Sequence, residues 1–117
     1  MEACKRPGGK SIPTDECRDS SQRFWFAKSE IRRVVVSIPS NIAEGDESGS
    51  AQNSIRYFNI AKGSSAELRT QLLIASEIGY LSKESYAELN EKCSVISQKL
   101  EKLIQARQKR IKNSHKP

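Results

Sequence analysis

The sequence predicts an all-α protein built as an antiparallel, up-down helical bundle. Three observations predict it. Apolar residues recur at steps of three, four or seven along three stretches, the spacing that puts side chains on one face of a helix. Short segments rich in Gly and Ser separate those stretches. The composition, 36 % hydrophobic with only 6 % aromatic residues, fits a lean helical domain or a protomer that completes its core by association.

Taken in order, residues 1–21 contain Pro7, Gly8, Gly9 and Pro13 without helical periodicity, and are expected to form a flexible N-terminal arm. The chain of 117 residues suffices for one domain, placed at residues 22–112, with a disordered basic tail at 113–117. In the first helix Ile31, Val34, Val35, Ile38 and Ile42 form a stripe, and Pro39 within it removes an amide and is expected to kink the helix. Gly45, Asp46, Glu47, Ser48, Gly49 and Ser50 make a breaker cluster that joins two antiparallel helices. The second helix carries Ile55, Phe58, Ser65, Leu68, Leu72 and Ala75, and Gly79 stops it. Its run of small residues, Ala61, Gly63, Ser64, Ser65 and Ala66, lets another helix approach closely, from within the bundle or from a neighbouring subunit. Gly63 costs about 1 kcal/mol of helix propensity relative to Ala, so such an approach is worth seeking. Ser82 caps the third helix and Glu84 suits its N-terminal dipole. Tyr86, Leu89, Cys93, Ile96, Leu100 and Leu103 then alternate steps of three and four, as a bundle seam does. A connection this short makes the last two helices antiparallel.

Polar residues interrupt these faces. Ser37, Asn41 and Glu44 fall at i, i+4 and i+7, and Glu67, Thr70 and Gln71 offer matching groups on the facing helix. Buried polar groups are usually hydrogen-bonded structure, so Ser37, Asn41, Glu44, Glu67 and Gln71 read as a polar seam that fixes register; the alternative is a polar site between helices.

Charge is the clearest pointer to a partner. The chain carries a net +6, and residues 99–117 alone account for as much. Lys99, Lys102, Arg107, Lys109, Arg110 and Lys112, together with Arg32 and Arg33, suit phosphate contacts directed at the backbone of a nucleic acid with little sequence preference. A solvated helix end is the alternative, since cations near a C-terminus also favour the dipole. Catalysis is not expected. The sole histidine, His115, lies three residues from the end, no Gly-rich phosphate loop is present, and Arg32, Arg33 and Arg69 make ion pairs the natural use of Glu44 and Glu67. Cys4, Cys17 and Cys93 form neither a disulfide framework nor a metal motif; Cys93 reads as a small core residue. No cofactor is implied. With no apolar run of the ~20 residues a membrane span needs and no apolar N-terminal signal stretch, a cytoplasmic protein is expected.

Two long blocks carry a resemblance. SIPSNIAEG at 37–45, followed by YFNIAKGSSAELRTQLLIASEIGYLS at 57–82, resembles the four-helix bundle family encoded by intervening sequences in bacterial 23S rRNA genes, which includes the accessory variability proteins of diversity-generating retroelements. The resemblance covers about residues 22–107. It implies a bundle of four-helix type whose first helix is missing or degenerate here, since the family's opening amphipathic helix has no counterpart in residues 1–21. It further implies a homo-oligomer, a pentamer in the retroelement members, with RNA or DNA and a reverse transcriptase or another protein as partners. After Ala43, Glu44 and Gly45 the family commonly continues with an aromatic and basic residues; Asp46, Glu47 and Ser48 stand here instead.

Overall fold

The computed structural model describes residues 14–114, with side chains from residue 22 onward. Three helices run through them, α1 (Thr14–Glu47), α2 (Ala51–Glu77) and α3 (Lys83–Ser114), and no strand occurs among the described residues. α2 is the middle member and packs against both neighbours, whereas the α1 and α3 backbones stay more than 8 Å apart at every point. A fourth helix is not present among the described residues.

The start of α1 corrects the expected arm. Helix begins at Thr14, so residues 14–21 belong to α1, and residues 1–13 lie outside the described part. No glycine or proline stands between Pro13 and Pro39, so nothing in residues 14–21 prevents helix, which begins directly after Pro13. At the other end α3 continues to Ser114, so residues 113 and 114 are helical rather than tail, and 115–117 lie outside the described residues. Pro39 sits within α1 without ending it.

The turns follow local chemistry. Ser50 caps α2, its hydroxyl accepting from the Asn53 amide at 3.2 Å. Gly79 takes φ 84°, the left-handed conformation that glycine adopts without a Cβ clash. It turns the chain so that the Tyr80 amide donates to the Ala75 carbonyl at 2.9 Å. Ser82 caps α3 by accepting from the Ser85 amide at 3.1 Å.

The connection between α1 and α2 is shorter than its glycine content suggests. Gly45 lies inside α1, and only residues 48–50 separate the helices. Its role is close approach: a Cβ there would stand 2.6 Å from the Phe58 ring.

Two packed clusters make the core. Val34, Ile38, Leu68, Leu72 and Cys93 form one, and Phe58, Ala61, Leu100 and Ile104 the other. Ile42 and Ile96 touch both and join them. Three residues of the expected stripes stay outside: Val35 is 45 % exposed, Leu89 36 % and Leu103 37 %. Ile104 takes the buried place on α3 instead. α1 and α3 meet through side chains alone, without the close backbone approach each makes to α2, and the outer flank of each stripe stays exposed.

Candidate nucleic-acid interface

Helical phase decides what each cation on α3 can reach. Lys99, Lys102, Lys109 and Lys112 follow at steps of three, seven and three, so they form one band along about 20 Å of the helix, with Arg110 at its edge. All five are exposed and make no ion pair with any described residue. Glu101, at the edge of the band, is paired with Lys62 of α2. The band is therefore an uncompensated positive surface.

Arg107 leaves that surface. Its guanidinium lies 5.8 Å from the centre of the Phe58 ring and 3.8 Å from an Asp46 carboxylate oxygen, with the side chain 13 % exposed. It clamps α3 to the C-terminal end of α1 and the N-terminal half of α2. Asp46, in the last turn of α1, is the other half of that clamp.

On α1, Arg33 is also engaged. It donates to Glu30 at 3.1 Å and to Glu67 at 3.0 Å, and hydrogen bonding and charge from Glu30, then the charge of Glu67, hold its pKa above the ordinary arginine value. Arg32 is exposed and unpaired among the described residues. It shares its face with Trp25 and Lys28, at i−7 and i−4, and the Lys28 ammonium sits 5.9 Å from the centre of the Trp25 ring. This aromatic and basic ridge was readable from its spacing and was not singled out in the sequence.

The polar seam is built from serines rather than carboxylates. Ser37 and Ser64 share a hydrogen bond of 2.9 Å, and the Asn41 amide donates to the Ser37 carbonyl and hydroxyl at 2.8 and 3.1 Å. Between α2 and α3, Ser97 donates to Ser65 at 3.1 Å and Ser65 to the Cys93 carbonyl at 3.3 Å. Glu44 is exposed and bonds to no described residue, and Glu67 serves Arg33; neither belongs to the seam. Gln71 is half-buried with its side-chain oxygen unpartnered. It lines a groove of about 300 Å³ between α1 and α2 with Phe26, Ala27, Glu30, Ile31, Ile74, Ala75 and Ile78.

Burial pushes the Cys93 thiol above its ordinary pKa, against the opposing charge of Arg69, so it stays neutral. No group of His, Cys, Asp and Glu able to hold a metal occurs among the described residues, and none of their helices is long and apolar enough to cross a membrane.

The sequence profile of the 23S rRNA-intervening sequence proteins matches residues 14–102. The chain belongs to that family. The match opens at the first residue of α1, ahead of the resemblance read over about residues 22–107, and closes at Lys102. Lys109, Arg110 and Lys112 thus lie beyond the part of the chain that the family accounts for. No curated protein matches the chain.

Proposed function

We propose that this family member is a non-catalytic, oligomeric helical bundle that binds RNA or DNA through repeated basic patches with little sequence preference. The observation that carries this reading is the band of Lys99, Lys102, Lys109, Arg110 and Lys112, exposed and unopposed by any described carboxylate. A charge row of that length follows a phosphate backbone, and releasing the counterions condensed there drives association. Four of the five cations are lysines, which meet phosphates as point charges, and phosphate contacts carry no sequence information.

Assembly supports the same reading. Val35, Leu89 and Leu103 continue the apolar stripes yet stay exposed, and their exposure favours burial against another chain. A ring of five subunits, as the resemblance implies, repeats the basic band around one particle, so weak contacts add through avidity.

Fluorescence anisotropy of a structured RNA and a duplex DNA, titrated across a salt series, tests the proposal. Log affinity is expected to fall linearly with log salt, with a slope near −0.9 per phosphate neutralised on duplex DNA. Removing residues 105–117 is expected to abolish most of that slope while leaving the helical content of the rest. Absence of binding at low salt would overturn the proposal.

One observation favours a second reading, a structural or protein-interaction bundle, accessory to a reverse transcriptase or other partner, without a nucleic-acid role. The α1/α2 groove is apolar and open, with Phe26 70 % and Ile74 and Ile78 each 54 % exposed. Under that reading the deletion leaves partner binding intact.

A further inference from the structure

We infer that the ridge of Trp25, Lys28 and Arg32 is a second nucleic-acid site, one that takes an unpaired strand by stacking a base on the indole. The inference rests on the nucleic-acid reading above and adds the class of ligand and the residues that select it.

Trp25 is 62 % exposed, an unusual position for the chain's sole tryptophan. Phe24, beside it, meets the Tyr80 ring edge-on with centroids 5.2 Å apart, which fixes this part of α1 to the turn between α2 and α3. The Trp25 side chain instead points along the outer face. Lys28 and Arg32 sit one and two turns further on that face, about 6 Å apart along the axis. Between residues 22 and 43 the sole carboxylate is Glu30, and Arg33 holds it on another flank. Among the described residues of α1 the face therefore joins one large π surface to two cations and no anion.

That combination selects its occupant. An apolar helix laid over it would strip water from Lys28 and Arg32 with nothing to compensate their charges. A single strand supplies both halves: a base for the indole and phosphates for the cations. A duplex keeps its bases stacked on one another, so it meets the charges alone. The site also stands apart from the α3 band. Phe24 marks the end of the molecule at the α2–α3 turn, whereas Arg107 ties the band to the C-terminal end of α1.

Because the tryptophan is unique, its emission reports on the site directly. Titrating the full-length chain with an oligouridylate and with a duplex DNA of equal length is expected to quench Trp25 saturably with the single strand only. Trp25→Ala is expected to weaken single-strand binding about ten-fold, with Trp25→Phe recovering part of the loss, and Lys28→Gln with Arg32→Gln to lower the single-strand salt slope by roughly 1.4. Circular dichroism confirms that each variant stays helical. If both nucleic acids bind without changing Trp25 emission, or if Trp25→Ala weakens them equally, the inference fails and the α3 proposal stands. A blue shift that tracks protein concentration, or one that anionic lipid vesicles produce in place of the strand, would also overturn it. If nothing binds at low salt, both readings fall together.

Discussion

The two ends of the molecule use similar residues and finish differently. At the end where α1 turns into α2, Phe58 is 1 % exposed, Ser54 donates to the Gly45 carbonyl at 2.7 Å, and Arg107 covers the ring while pairing with Asp46. At the end where α2 turns into α3, Phe26, Ile74 and Ile78 remain more than half exposed and the Gln71 oxygen lacks a partner. The first end is closed by the chain's own side chains. The second has the apolar surface of a core and no cover. Packing alone does not separate them; the difference is that Gly45 lets the helices close to ring-contact distance and that α3 reaches across to the end of α1.

The widest contrast is expected between two phenylalanines. Phe58→Ala empties a fully enclosed site and should cost about 3–5 kcal/mol, enough to unfold a marginal domain in a urea titration. Phe26→Ala at the open end should stay within about 0.5 kcal/mol in the same titration. Equal losses would mean that the open end is covered in solution.

Two glycines sharpen the comparison at smaller magnitude. Gly45→Ala drives a Cβ to 2.6 Å from the Phe58 ring and should destabilise by about 1–3 kcal/mol. Gly63 has no atom within 4 Å of the same position, so Gly63→Ala should stabilise the helix by about 1 kcal/mol in thermal denaturation. A loss at Gly63 instead would show that its face is occupied by another chain.

Arg107 tests the clamp itself. Arg107→Met keeps most of the aliphatic stem over Phe58 and removes the charge, and should cost about 1 kcal/mol, the scale of a partly desolvated cation over a ring. Because Arg107 faces inward, the same variant should leave the nucleic-acid salt slope unchanged, whereas Lys109→Gln should reduce it by about 0.9 on duplex DNA.

Which parts of this were legible in the sequence follows from how local the deciding interaction is. The caps Ser50, Ser82 and Gly79 act within one turn, and of these Ser82 and Gly79 were read as such. The buried faces of α1 and α2 were legible because three- and four-residue spacing reports a helix with a neighbour. Spacing does not report how many neighbours there are, so Val35, Leu89 and Leu103 looked like core and are exposed. The start of α1 was missed because residues 14–21 have no apolar period, though they hold no glycine or proline that would prevent helix. In the site, Glu44 and Glu67 had the spacing of a seam, yet the short hydroxyls of Ser37, Ser64, Ser65 and Ser97 bridge closely packed helices where carboxylates do not fit. Arg107 matched the basic run by composition, and only the antiparallel docking of α3 on α2 brings it to Phe58.

The smallest expected effect on stability belongs to Ile74→Ser with Ile78→Ser, and it separates the two ends most directly. Both side chains are 54 % exposed, so each change should alter the folding free energy by no more than about 0.5 kcal/mol. Their effect on association should be larger in proportion, because a partner that covers the groove with Gln71 would bury both methyl-rich side chains, and each buried CH₂ contributes about 0.8 kcal/mol. Sedimentation velocity across a concentration series checks this. A fall in mass with unchanged thermal stability means that another chain completes the open end, as the closed end is completed by Arg107 and Phe58. An unchanged mass means that the oligomer, where it forms, assembles through other exposed apolar residues such as Val35, Leu89 and Leu103, and Val35→Ser with Leu103→Ser is then the pair whose mass should fall.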